Sequence, residues 1–462
     1  MEKYIFVLGK NWKLCLGELI HILNMNDFKG KIIDYSACVA IIEFEKEMLK
    51  AKQIADLQYI LGGTLKIGKV IDFLDQKTFI KAFPYKIEDI SKYGVMNDAR
   101  KQVENLIKDS VYPIFGKLKN EKYFIANSIY PIQYKDPYYK VLIKHFLPFL
   151  NENWVKILKE KGARSVIYFK YPEKYMEEGT LNPIFPHHFF KYELYKPNRK
   201  EILYATTEEG IYLGYTLNAT NPNMVKMVDE ERPYKKFEAS IPPKFVKIMI
   251  NLLNLKRPYN TMKVLDPFVG SGTILLFAYS MGIQVYGADS NIECVEGTKK
   301  NLNWIKKYLI KPLKIDFNKN VINAKIEELS EKFANIKFHG IVTEPILTPV
   351  LKEIPKYEKI NKIVQEQVIP TYDQAFKEFK KVLKEGSRIS ITAPVIETLD
   401  GGKISINLNE IALKYGLKSV KIIDKNKITE KSDINLKISG KERVITDRSS
   451  IYLHRQFFIF QK

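Results

Sequence analysis

The chain has 462 residues, 45% of them hydrophobic, and a net charge of +21 from 74 basic and 53 acidic side chains. That length exceeds what one hydrophobic core supports, the composition excludes extensive disorder, and a basic excess in both halves points to a polyanionic partner. Three cysteines without metal spacing (Cys15, Cys38, Cys294), six histidines without an HExxH pair, lysines that break MEKYIFVLGKNWKL and the lack of any run of 18 apolar residues argue against disulfides, a metal site, a signal peptide and a membrane span, so a cytoplasmic protein is expected.

In chain order, KYIFVLG (3–9) and ACVAIIEFE (37–45) read as strands, and WKLCLGELIHILN (12–24) has the apolar spacing of a helix. A charged, weakly patterned stretch runs from Glu88 to Asn120. KYFIANSIY (122–130), a helix around 139–160 and ARSVIYFKY (163–171) form a second α/β pattern, which EGIYLGYTLNA (209–219) closes as a hairpin strand. The polar, proline-marked run 221–240 reads as a connector. Beyond it, helix PPKFVKIMINLLNL (242–255), strand MKVLDPF (262–268), helix TILLFAYSMG (273–282), strand QVYGADS (284–290) and helix IECVEGTKKNLNWIKKYL (292–309) alternate. HGIVTEP (339–345), TYDQAFKEFKKVLKEG (371–386) and SRISITAPV (387–395) continue as strand, helix and strand, and two β-segments (418–426 and 455–462) end the chain. This alternation predicts an α/β fold with a doubly wound, mainly parallel sheet. The expected organisation is an α/β domain over 1–110, a second α/β module over 111–222, a linker over 223–240 and a doubly wound α/β domain over 241–462.

The stretch VLDPFVGSGT (264–273) carries the most chemistry. A strand delivers Asp266, and Gly270 and Gly272 let the backbone pass under a ligand without a Cβ clash. The next helix then opens with free N–H groups, and Asp289 ends the following strand where an acid can hold ribose hydroxyls. A dinucleotide fingerprint needs a third glycine where Leu275 stands. The DPFxGSGT pattern instead resembles motif I of S-adenosylmethionine-dependent methyltransferases that act on base amino groups. The resemblance implies that Asp266 receives the methionine ammonium, that the turn through Pro267, Phe268, Gly270, Ser271, Gly272 and Thr273 covers the methionine and ribose, and that Asp289 holds the ribose.

In such enzymes the acceptor loop follows the fourth strand and reads Asp/Asn-Pro-Pro-aromatic. Here Thr343-Glu344-Pro345 falls at that place, with Ile346 and Leu347 where a second proline and the ring would stand. Hydrogen bonds from the amine to a side-chain oxygen and a backbone carbonyl favour the tetrahedral nitrogen of the transition state, and a proline-locked turn holds both in line. Thr343, Glu344 and Pro345 are therefore the candidate catalytic residues. The acid that usually accepts from the adenine amine falls near Lys325, which cannot accept, leaving Glu327 or a backbone carbonyl as the substitute.

The order of these features resembles the archaeal and eukaryotic tRNA guanine-10 N2-methyltransferases. KYIFVLGKNWKLCLGELIHIL is similar to their start, GARSVIYFK with LNPIFPHHFFKYELY to their THUMP domain, and ASIPPKFVKIMINLL to the connector that lies over the cofactor. The resemblance implies a class I methyltransferase sheet preceded by ferredoxin-like and THUMP units, with S-adenosylmethionine as cofactor, Pro243 near it, and tRNA as partner; a small activating subunit is left open. FPHHFFKYELYKPNRK (185–200) interleaves rings with His187, Lys191, Lys196, Arg199 and Lys200, a candidate stacking and phosphate surface. A DNA adenine or cytosine amino-methyltransferase, and a catalytically weak tRNA-binding homologue, are the alternatives.

Overall fold

The computed structural model describes residues 1–24, 28–45, 49–85, 92–133, 138–172, 184–235, 241–348, 353–438, 442–448 and 450–462. Two sheets organise them. The first contains β1 (Glu2–Leu8), β2 (Gly30–Tyr35), β3 (Val39–Phe44), β4 (Thr64–Asp75), β5 (Lys122–Tyr130), β6 (Ser165–Tyr168), β7 (Arg199–Thr206) and β8 (Gly210–Ala219), in the order β2-β3-β1-β4-β8-β7-β5-β6. Strand β4 pairs antiparallel with β8 from Lys66↔Ala219 to Asp75↔Gly210. That pairing joins the strands of residues 1–110 and 111–222 into one continuous sheet.

Two stretches carry regular structure where the sequence suggested little. Residues Lys92–Phe115 form a 24-residue helix. Its apolar stripe (Met96, Ala99, Val103, Ile107, Val111, Ile114) is buried, so packing against a core overrides a charged composition. Within the expected linker, Pro222–Glu231 is a helix that starts on an Asn221 cap and buries Val228. Residues 236–240 of that linker lie outside the described residues, as does Pro349 of the acceptor loop.

The second sheet holds β9 (Lys263–Asp266), β10 (Gln284–Asp289), β11 (Val321–Asn323), β12 (Phe338–Thr343), β13 (Leu383–Glu397), β14 (Lys403–Ser405), β15 (Lys418–Val420), β16 (Val444–Asp447) and β17 (Leu453–Gln461). Its main path is β11-β10-β9-β12-β13-β17-β15, with β14 on β13 and β16 on β17. The first five strands run parallel, and β17 is antiparallel to both neighbours. This order and direction match the Rossmann-like sheet that the sequence resemblance implies. In open sheets of this kind ligands bind beyond the carboxyl ends of the strands, where the strand order reverses. Here that point is the end of β9, flanked by β10 and β12.

The two sheets share a core. Leu16 and Leu19 of the Trp12–Leu23 helix belong to the same buried cluster as Ile248 and Met249 of the Pro243–Leu252 helix. Glu18 crosses that junction: its carboxylate accepts from the Gly62 and Gly63 N–H groups and from Asn251 Nδ2, at 2.8, 2.8 and 2.6 Å. Among the described residues, no helix is long and apolar enough to cross a membrane.

Candidate active site

Strand β9 ends at Asp266 and the chain turns through Gly270 and Gly272 into the Thr273–Ser280 helix. Both glycines adopt positive φ, +51° and +79°. Their surroundings differ. A Cβ on Gly270 would meet open space, whereas one on Gly272 would lie 2.8 Å from the Thr298 side chain. Gly270 is thus the position where the backbone faces the cleft, and Gly272 is needed for packing. Gly272→Ala should cost about 1–2 kcal/mol of stability through the left-handed backbone and the clash. Thermal unfolding checks this, with partial recovery expected in Gly272→Ala/Thr298→Ala; an unchanged transition would contradict it.

The turn is clamped from outside by residues that the motif did not reveal. Asn301 is fully buried. Its side-chain amide donates to the Ser271 carbonyl and to the Tyr234 carbonyl, each at 2.9 Å, and accepts from Tyr234 N–H. Arg232 donates to Thr273 Oγ1 at 2.8 Å. The segment after the Pro222–Glu231 helix is therefore fastened to the glycine turn.

Asp266 is buried, yet it lines a cleft of about 620 Å³. Its Oδ1 accepts from Thr343 Oγ1 at 2.8 Å and from Phe268 N–H at 3.2 Å. Oδ2 has no hydrogen bond among the described residues. Burial pushes the carboxyl up to about 7; the Thr343 hydroxyl and Phe268 N–H oppose this, and Asp289 and Glu344 add to it. A buried carboxylate with an open oxygen on a cleft is suited to a cationic group, so the site fits an amino-acid ammonium. Asp289 accepts from Gly270 N–H and Asn291 N–H, both at 2.9 Å, one on each oxygen. Each oxygen keeps a lone pair for a ribose hydroxyl.

The same cleft is lined by Pro267, Phe268, Gly270, Ser271, Thr273 and Asp289 from the motif, and by Glu344, Pro345, Ile346 and Leu347 from the loop after β12. Lys325 and Glu327 lie on its rim. Three placements differ from the sequence reading. Thr343 is fully buried beneath the cleft, where it holds Asp266, and does not line it. Pro243 is buried at the first turn of its helix, and Ile241 stands in the cleft wall in its stead. Glu344 is not a free acid: its carboxylate is gripped by Arg455 Nε and Nη2, at 2.8 and 3.1 Å, and accepts from Thr392 Oγ1 at 2.9 Å. Of the two residues at the missing ring, Leu347 turns inward and is 8% exposed, whereas Ile346 is 69% exposed.

The basic segment folds as a short helix (Pro186–Lys191), a turn and the start of β7. His187 stacks on the exposed Phe185, with centroids 5.8 Å apart and planes at 10°. Lys191 is exposed and sits over the Tyr192 ring. Lys196 and Arg199 both face Glu193, at 2.7 and 3.5 Å, which offsets part of their charge. Lys200 lies over Tyr215, and burial lowers its ammonium from the usual lysine range.

With this geometry in view, comparison with known proteins is informative. The DNA methylase family profile matches residues 100–300, which includes the glycine turn and Asp289 and stops short of the acceptor loop. The tRNA (guanine(10)-N2)-dimethyltransferase of Pyrococcus abyssi is 31% identical over 118 residues, 25% of this chain and 31% of the relative. The chain is similar to base amino-methyltransferases. The protein of the same name from Methanothermobacter thermautotrophicus is 40% identical over 77 residues, 16% of this chain and 22% of the relative. The matches thus span less than a third of either relative's length. Among solved structures, TrmN from Thermus thermophilus aligns over 100% of both chains at 14% identity, with a TM-score of 0.49.

Proposed function

We propose that the chain is an S-adenosylmethionine-dependent methyltransferase acting on an exocyclic base amine, with N2 of a guanine in tRNA as the acceptor. One observation carries this reading: Asp266 with its open oxygen, the Gly270 turn, Asp289 and the Glu344-Pro345 strand end meet in a single cleft. The cofactor would supply an electrophilic methyl group. Asp266 would hold its ammonium and Asp289 its ribose, while the turn from Phe268 to Thr273 covers it. Glu344 would accept a hydrogen bond from the base amine, and Pro345 would keep that acceptor rigid. The net charge of +21 and the ring-and-cation segment around His187, Lys191, Lys196, Arg199 and Lys200 support tRNA as the partner.

A second reading, a tRNA-binding protein without turnover, is favoured by the absence of a ring at 346 and 347 and by the engagement of Glu344 with Arg455. Transfer of a tritiated methyl group to tRNA and to duplex DNA separates the readings. Label in tRNA guanosine, traced by nucleoside mass spectrometry, is the expected result. Label in duplex DNA alone would replace the substrate, and binding of cofactor and tRNA without transfer would favour the second reading.

A further inference from the structure

The acceptor carboxylate does not stand alone in the cleft wall, because Arg455 of β17 lines the cleft beside Glu344. Its Nε and Nη2 contact Oε2 and Oε1 side by side. Contacts of that kind hold guanidinium and carboxylate in one plane. Thr392 is fully buried on β13 and donates to Oε2, so both lone pairs of that oxygen are taken. Oε1 keeps one lone pair, and Nη2 keeps one N–H without a hydrogen bond among the described residues. The Oε2 side of the pair is closed by Thr392. The Oε1–Nη2 side is therefore the edge left for the cleft, and it shows an acceptor beside a donor, 3.1 Å apart.

A base that bears an amino group carries the complementary edge. Its exocyclic N–H is a donor, and the ring nitrogen next to the amine-bearing carbon is an acceptor; in guanine these are N2 and N3. We infer that Arg455 is a specificity-determining residue: Glu344 Oε1 accepts from the amine while Arg455 Nη2–H donates to the adjoining ring nitrogen. This rests on the amino-methyltransferase reading above. It puts the arginine at the edge of the base and not on its face, since the guanidinium shares the plane of the carboxylate that the base must meet. The apolar cover for the face then falls to Ile346 and Phe268, which both line the cleft. Uracil and hypoxanthine have no exocyclic amine beside a ring-nitrogen acceptor; each pairs a ring N–H with a carbonyl instead, which brings no methyl acceptor to the Arg455–Glu344 edge.

The test uses tRNA carrying 3-deazaguanosine at the methylated position, where a C–H replaces N3. With the native chain, kcat/KM should fall about tenfold or more relative to guanosine, whereas 7-deazaguanosine, intact at N3, should stay within about twofold. Arg455→Lys and Arg455→Gln should be slower on guanosine because Glu344 loses its clasp. In both, the 3-deaza penalty should shrink to about twofold or less, so the two losses do not add. Equal rates for guanosine and 3-deazaguanosine on the native chain would overturn the assignment, as would an undiminished penalty in the variants. A native chain that transfers no methyl group to guanosine would instead overturn the parent reading, and this assignment with it.

Discussion

Asp266→Asn should weaken S-adenosylhomocysteine binding by about tenfold to a hundredfold, the range expected when a buried charge-assisted contact becomes neutral. The pH dependence is the sharper signature. Burial lifts the Asp266 carboxyl to about 7, so the free protein holds a proton there below that pH. An ammonium beside Oδ2 stabilises the ionised form, and binding must expel the proton. Affinity of the native chain should therefore rise as pH climbs towards about 7, by up to about tenfold per unit, and level off above it. Calorimetry at about pH 6 in two buffers of different ionisation enthalpy should register proton release on binding. The asparagine variant should bind weakly, with neither pH dependence nor proton release. A flat native profile between about pH 5.5 and 7.5 would remove Asp266 from the ammonium site. Stability should move the other way. A carboxyl raised by burial costs the native state stability as pH rises from 3.8 to about 7, so Asp266→Asn should unfold no earlier than the native chain above that pH.

How much of this was open to reading from the sequence depended on how local the signal is. The glycine turn, Asp266 and Asp289 share one strand–turn–helix–strand unit, so their spacing alone brings them to one cleft. Glu344 could be placed because the strand order of such sheets puts β12 beside β9. Arg455 could not. It lies 111 residues from Glu344, and no spacing links them. The contact exists because β17 returns antiparallel to β13, pairing Arg455 with Pro394 and bringing it near Thr392 on the same strand. Asn301, Arg232 and Tyr234 were hidden for the same reason, since the segment they fasten was read as a linker from its polar composition. The Lys92–Phe115 helix did have a legible stripe at spacings of three and four, masked by the charges between its apolar positions.

The second large effect lies at the junction of the two sheets. Glu18→Ala should cost about 3 kcal/mol or more, because it leaves the Gly62 and Gly63 N–H groups without their acceptor and takes one of the two hydrogen bonds of Asn251 Nδ2, which keeps the Ile60 carbonyl. Glu18→Gln separates the hydrogen-bonding contribution from the charge. Burial pushes the Glu18 carboxyl up to about 7, against the pull of Gly62 N–H, Asn251, Gly63 N–H and Lys247. The unfolded chain gives up that proton near 4.5, so between 4.5 and about 7 the native state binds one proton more. Stability then falls with rising pH, by at most about 1.4 kcal/mol per unit. Lys247, whose Nζ donates to the Tyr59 carbonyl at 2.6 Å, is pushed down to about 8 by burial, with Glu18 pulling it back up. Its contribution recovers as pH rises from about 8 to 10.5, because there the unfolded chain holds the extra proton. The junction alone should thus give a stability minimum between about 7 and about 8. In Glu18→Gln the acid-side fall should disappear while the alkaline recovery remains, as read by thermal unfolding across that range. If Glu18→Ala and Glu18→Gln are equally destabilised at every pH, the carboxylate's geometry and not its titration governs the junction. A pH-independent native transition would remove both buried charges from the account.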